Sequence, residues 1–99
     1  MLVHNVFFWL RKDLDGDQVT EFRMGLEGLK SIVHAEAVHI GSPARVPERP
    51  VLDTGYDFCL TVTLKDVAAH DAYQADEIHQ AFLAKFKDSW EKVKVYDAD

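Results

Sequence analysis

A chain of 99 residues is long enough for one domain, and a hydrophobic content of 47% is typical of a globular protein rather than a disordered one. The formal net charge is -6, and no run of Lys or Arg occurs, which argues against nucleic-acid or anionic-membrane binding. The single cysteine, Cys59, allows no disulfide within the chain. The apolar first residues lack a basic leader and are too short to span a bilayer, so we expect a cytoplasmic protein.

The first predicted element is a strand at residues 2–10, LVHNVFFWL, followed by a polar turn at Gly16. Its side chains alternate between two faces, and both faces are apolar. One face carries His4, Val6, Phe8 and Leu10, and the other carries Asn5, Phe7 and Trp9. Both faces should therefore be covered, one by helices and the other by a partner chain.

A helix and a second strand follow. Apolar residues at helical spacing predict a helix over 17–31, with Asp15 or Asp17 capping its start. Alternating residues predict a strand over 33–40. The segment 41–56 then contains all three prolines, and we expect it to form a long flexible or functional loop.

The second half of the chain contains another strand, a helical region and a last strand. Residues 57–64, DFCLTVTL, form the clearest strand, and a helical region extends from Lys65 to Trp90. A break near Asp76 would let this residue cap a second helix. The last strand is expected at 92–98.

The predicted order is β-α-β-β-α-β, which is the ferredoxin-like arrangement of the α+β class. We therefore expect one domain over 1–99, with a four-stranded antiparallel sheet and helices on one face. The other face would leave Phe7 and Trp9 exposed on a monomer. Because a large exposed apolar patch normally marks an interface, we predict a homodimer with two sheets packed face to face.

Three stretches carry a resemblance that covers essentially the whole chain: HNVFFWL, YDFCLTVTLKDVAAHDAYQADEIHQAF and DSWEKVKVYD. Together they resemble the stress-responsive dimeric α/β-barrel (Dabb) domain. The resemblance implies a ferredoxin-like fold and a homodimer whose two sheets close a barrel. Most members of the family have no assigned reaction. One branch contains polyketide cyclases, in which histidines and a tyrosine do acid–base work in a pocket between sheet and helices.

Three residues of this chain match that branch: His4, Tyr73 and His79. The family often shows HPxH ahead of the shared histidine, whereas this chain has DEIH at 76–79. In such a site His79 would be the base, Tyr73 the hydrogen-bond donor to a developing oxyanion, and His4 an orienting or second acid–base group. Asp76 could hold the other nitrogen of His79. The same residues could also be ordinary packing positions of an amphipathic helix and a strand.

The sequence leaves open whether the protein is an enzyme. It favours a homodimeric Dabb-type stress-responsive protein that binds a small hydrophobic molecule in a pocket between sheet and helices. The alternatives are a polyketide cyclase-like enzyme and a cofactor-free monooxygenase of the related dimeric α/β-barrel group. We expect no cofactor and no metal, because His34 and His39 lie on opposite faces of their predicted strand and His70 is expected at a solvated helix position.

Overall fold

The computed structural model describes residues 1–99 and places three helices on one face of a four-stranded antiparallel sheet. The predicted ferredoxin-like fold is confirmed. The elements are β1 (Leu2–Leu10), α1 (Gly16–Gly28), a short 3₁₀ helix (Leu29–Ser31), β2 (Ala37–Gly41), β3 (Phe58–Leu64), α2 (Val67–Ala75), α3 (Glu77–Phe86) and β4 (Trp90–Ala98). The strand order is β2-β3-β1-β4, and every neighbouring pair is antiparallel.

The core lies between the sheet and the helices, and strand alternation fixes which residues enter it. In β1 every second residue from Leu2 to Leu10 is buried, and the residues between them are half-buried. The same alternation occurs in β3. Phe22 and Leu26 of α1 are fully buried against this face, as is Tyr73 of α2. Because side chains alternate between the two faces of a strand, the sequence determines which face of the sheet is buried and that His4 points toward the helices.

Aspartate side chains cap the N-termini of the helices, as the sequence predicts for α1 and α3. The Asp15 carboxylate accepts a hydrogen bond from the Gln18 amide at 2.8 Å, and the Gln18 side chain accepts one from the Asp15 amide at 2.9 Å. The Asp76 carboxylate accepts from the Ile78 amide at 2.8 Å, so the predicted break between two helices is confirmed. Asp76 therefore caps α3.

Two predicted boundaries are wrong for identifiable reasons. The second strand begins at Ala37 rather than at residue 33, because a turn closes first with a hydrogen bond from the Ala35 amide to the Ile32 carbonyl. Trp90 continues the four-residue apolar spacing of α3 but starts β4. The Trp90 ring still stacks on the Phe82 ring of α3, with centroids 6.2 Å apart. The four-residue spacing therefore indicated a packing contact rather than a continuation of the helix.

The segment between β2 and β3 has no regular secondary structure, and part of it lies on the outer face of the sheet. The Tyr56 ring is 5.1 Å from that of Phe7 and 6.5 Å from that of Trp9, centroid to centroid. Phe7 and Trp9 are consequently half-buried by the chain's own loop. None of the helices has the length and apolar character that a membrane crossing requires.

Candidate functional site

A cavity of about 180 Å³ opens between the inner face of the sheet and helices α2 and α3. Nine of its twelve lining residues are hydrophobic, and the polar ones are His4, Gln74 and His79. At about 30 Å³ per molecule, this volume corresponds to roughly six waters. Apolar walls with a few converging polar groups are the usual composition of a small-molecule site.

His4 enters this cavity from β1, and two side chains hold its ring. Its Nδ1 lies 2.5 Å from a carboxylate oxygen of Asp97, and its Nε2 lies 3.4 Å from the Gln74 side-chain nitrogen. Because a carboxylate only accepts, Nδ1 carries the hydrogen and donates to Asp97. The Nε2 atom then accepts from the Gln74 amide. His4 is only 4% exposed, so these two partners satisfy a buried ring.

His79 enters the same cavity from α3 and is 8% exposed. Burial, together with a smaller repulsion from His4, lowers the pKa of this imidazole from its ordinary value. Its Nδ1 is buried and has no hydrogen-bond partner. The expected partner, Asp76, caps α3 with its carboxylate instead. His79 is therefore a neutral imidazole at pH 7 with a free ring nitrogen.

Tyr73 lies between the two histidines but does not line the cavity. Its ring centroid is 5.9 Å from that of His4 and 5.1 Å from that of His79. The side chain is fully buried, its hydroxyl has no hydrogen-bond partner, and burial raises its pKa. The three residues singled out in the sequence thus lie together, with the two histidines on the cavity wall and the tyrosine behind it.

Two residues beside His4 were not predicted from the sequence as part of the site. His70 was expected in solvent, but only 20% of its side chain is exposed, and its ring packs edge-on against His4 with centroids 5.2 Å apart. The second residue is Asp97, the carboxylate partner of His4. A detectable signal existed: Asp97 follows Val93 and Val95 at alternate positions of β4, so it interrupts an apolar row as His4 does in β1.

The fold and this inward-facing site define a ferredoxin-like domain with a cavity between sheet and helices. The chain belongs to the stress responsive A/B barrel domain (Dabb) family, whose sequence model matches residues 2–99. No curated protein matches the chain.

Solved structures of the same fold come from bacteria and plants. A dimeric ferredoxin-like protein of unknown function from Thermobifida fusca is 20% identical, with a TM-score of 0.79 over 98% of this chain and 88% of its own. A Dabb family protein from Mesorhizobium loti is 21% identical, with a TM-score of 0.79 over 99% and 94%. The hydroxynitrile lyase from Passiflora edulis is 19% identical, with a TM-score of 0.80 over 98% and 90%. At these identities the likeness establishes the fold.

Proposed function

We propose that this Dabb-family protein binds a small hydrophobic molecule in the cavity between sheet and helices. The observation that carries the proposal is the lining of that cavity, which joins nine hydrophobic residues with His4, Gln74 and His79. The hydrophobic walls favour an apolar body, because transfer of apolar surface from water is favourable. The three polar groups favour one carbonyl or hydroxyl on that body.

The cavity volume limits the size of the ligand. A space of about 180 Å³ suits a single ring or a short chain, on the order of ten non-hydrogen atoms. Benzaldehyde, acetophenone and hexanal are suitable probes, because each joins a small apolar body to one carbonyl group. A ligand selective for the native state raises the apparent stability of the protein, so thermal denaturation detects binding.

A variant that fills the cavity provides the test. Val95 lines the cavity from β4 and is half exposed, so Val95→Phe adds bulk there with little disturbance of the core. Val33→Phe is the matched control, because Val33 is 85% exposed and lies outside the cavity. The probes should raise Tm for the wild type and for Val33→Phe but not for Val95→Phe. Absence of any shift in the wild type, or an equal shift in Val95→Phe, would reject the proposal.

Acid–base catalysis on a carbonyl or hydroxynitrile compound is a second candidate, favoured by the free ring nitrogen of His79 beside the Asp97-held ring of His4. His79 would take a proton, and His4 would act as the second acid–base group. Tyr73 lies behind the cavity wall, so it would support the rings of His4 and His79 rather than donate to the substrate oxygen. The fold accommodates such chemistry, since one relative is a hydroxynitrile lyase.

Proton exchange at a carbonyl compound tests this candidate without knowledge of the natural substrate. Incubation of acetophenone in D₂O, followed by proton NMR, reports removal of the methyl protons next to the carbonyl. A parallel assay follows release of benzaldehyde from mandelonitrile. We expect the wild-type protein to accelerate one of the two reactions over its rate in buffer. The rate should fall about 100-fold or more in His79→Gln. His34→Gln is the control, because it makes the same change at an exposed histidine. If neither reaction exceeds its buffer rate, catalysis of this kind is excluded.

We also propose that the protein pairs with a second copy through the outer face of its sheet. Phe7, Trp9, Tyr56 and Tyr96 border a second cavity of about 220 Å³ on that face. Tyr96 is 58% exposed there. Aromatic side chains grouped on an open face are typical of an interface, and a two-fold axis would let the same patch cover itself. The Thermobifida fusca relative is described as dimeric.

A further inference from the structure

We propose that His4, His70 and Asp97 form a binding site for one divalent transition-metal ion of the zinc class. Each residue offers a ligand atom, and these three atoms all lie within 4.8 Å of one another. This site departs from the prediction of no metal, which depended on a solvated position for His70. This inference goes beyond the proposed binding of a small hydrophobic molecule and does not depend on it.

The donor set and its dimensions suit zinc. Two imidazoles and one carboxylate are common zinc ligands, and three protein ligands leave a fourth position for water. Bonds of about 2.0–2.1 Å in a tetrahedron place the ligand atoms roughly 3.4 Å apart. The His70 Nε2 and Asp97 Oδ2 atoms are 3.7 Å apart, close to that spacing. His4 Nδ1 and Asp97 Oδ1 are closer, at 2.5 Å, so a small rotation of the carboxylate would admit the ion.

The contacts of the two His70 ring nitrogens favour a cation between this ring and the Asp97 carboxylate. The His70 Nδ1 lies 3.1 Å from a carboxylate oxygen of Asp71, so the tautomer that donates to Asp71 carries its hydrogen on Nδ1. The Nε2 atom then presents a lone pair toward the Asp97 carboxylate, which is also an acceptor. This Nε2 is buried and has no hydrogen-bond partner. Two acceptors that face each other without a donor between them attract a positive charge.

The surroundings supply the outer contacts of a metal site. A metal-bound histidine usually donates its other ring N–H to a carboxylate, and Asp71 occupies that position for His70. Coordination through His4 Nδ1 would move the hydrogen of that ring to Nε2. Rotation of the Gln74 amide would then present its oxygen to this N–H. The Asp97 side chain is 40% exposed, which gives the ion a path from solvent.

Titration of the metal-free chain with zinc chloride tests the proposal. The protein carries no added histidine tag and is treated with EDTA and dialysed before calorimetry in a non-chelating buffer. We expect one zinc ion per chain. Zinc binding should weaken about tenfold or more in both His70→Gln and Asp97→Asn. His34→Gln should bind zinc as the wild type does, because His34 is exposed and lies outside the cluster. Cobalt chloride should give visible absorption bands of tetrahedral Co²⁺ in the wild type and in His34→Gln but not in His70→Gln or Asp97→Asn.

Two outcomes would overturn the inference. One is no zinc binding by the wild type, and the other is equal affinity in the wild type and His70→Gln. The result is distinguishable from failure of the cavity proposal, because the probe-induced shift in Tm is measured on the same metal-free protein and its Val95→Phe variant.

Discussion

The ring of His4 and the carboxylate of Asp97 are joined by a hydrogen bond of 2.5 Å, although 93 positions separate them in the chain. The register of β1 with β4 places their Cα atoms opposite each other. Both residues stand in rows that are otherwise apolar, and both rows face the helices. The pair therefore fixes the orientation of a buried imidazole, so that the ring presents one defined nitrogen to Gln74 and the cavity.

Replacement of Asp97 should change the tautomer of His4. In the wild type, His4 should be the Nδ1–H tautomer, because the carboxylate accepts from that atom. In Asp97→Ala this preference should disappear, and the free energy of unfolding should fall by about 1 kcal/mol. We expect no larger decrease in the free energy of unfolding, because the Asp97 side chain is 40% exposed and water screens its interaction with His4. Nitrogen chemical shifts of the imidazole in metal-free protein report the tautomer, and urea denaturation reports stability.

Asp99→Ala is the control for Asp97→Ala. It removes the same charge two residues further along the chain, at an exposed position. It should leave both the tautomer and the urea midpoint unchanged. A His4 tautomer that is the same in all three proteins would contradict the structural role assigned to Asp97.

Much of this architecture could be predicted from the sequence because its signals are local. Alternation over 2–10 gave the limits of β1 and the inward direction of His4 without error. The capping tendency of Asp76 located the break between α2 and α3. Such signals depend on residues within one or two turns of each other, so a single sequence suffices to find them.

The site could be predicted only in part because its contacts are non-local. The pairing of His4 with Asp97 depends on the register between the first and last strands. No local sequence pattern predicts that register. The position of His70 depends on how α2 lies across the sheet. The resemblance to the polyketide cyclase branch paired Tyr73 with His79, but it could not show that the tyrosine lies behind the cavity wall.

The lowered pKa of His79 predicts loss of stability at acid pH. The unfolded chain binds a proton near its ordinary pKa of about 6.5, whereas folded His79 binds one only at lower pH. Between those two values the unfolded state holds more protons, so stability falls as pH falls, by up to about 1.4 kcal/mol per pH unit. The stability that depends on a neutral His79 is fully present above the unfolded pKa.

Urea denaturation between pH 7.5 and 5.5 measures this effect. Burial is the main cause of the lowered pKa of His79, and repulsion from His4 and His70 adds to it. The nearby backbone carbonyl of Gln74 and the charge of Asp76 oppose it, because both favour the protonated ring. In His79→Gln the pH dependence should be flatter than in the wild type. His34→Gln should keep the wild-type slope, because His34 is exposed. Equal slopes in the wild type and His79→Gln would rule out His79 as the group responsible.

The close contact between α1 and α3 predicts opposite effects for two glycine substitutions. A Cβ at Gly25 would lie 2.3 Å from a ring carbon of Phe86, whereas a Cβ at Gly28 would meet nothing within 4 Å. Gly25→Ala should therefore lower the free energy of unfolding by about 1–3 kcal/mol through overpacking. Gly28→Ala should raise it by up to about 1 kcal/mol, because alanine favours the helix. Thermal denaturation of the two variants compares them directly, and a stabilised Gly25→Ala would contradict this packing.

A charge on the outer sheet face should prevent pairing of two copies. Phe7 lies at the centre of the aromatic group on that face, between Tyr56 and Tyr96. In Phe7→Glu a second copy would bury a carboxylate beside Lys94, its cross-strand neighbour, and taking these charges out of water is costly even when they pair. Light scattering at micromolar concentration should give the mass of two chains for the wild type and of one for Phe7→Glu. Met24→Glu adds the same charge on α1, where Met24 is 67% exposed, and should remain a dimer. If the wild type is monomeric, or if only Met24→Glu dissociates, the outer sheet face is not the interface.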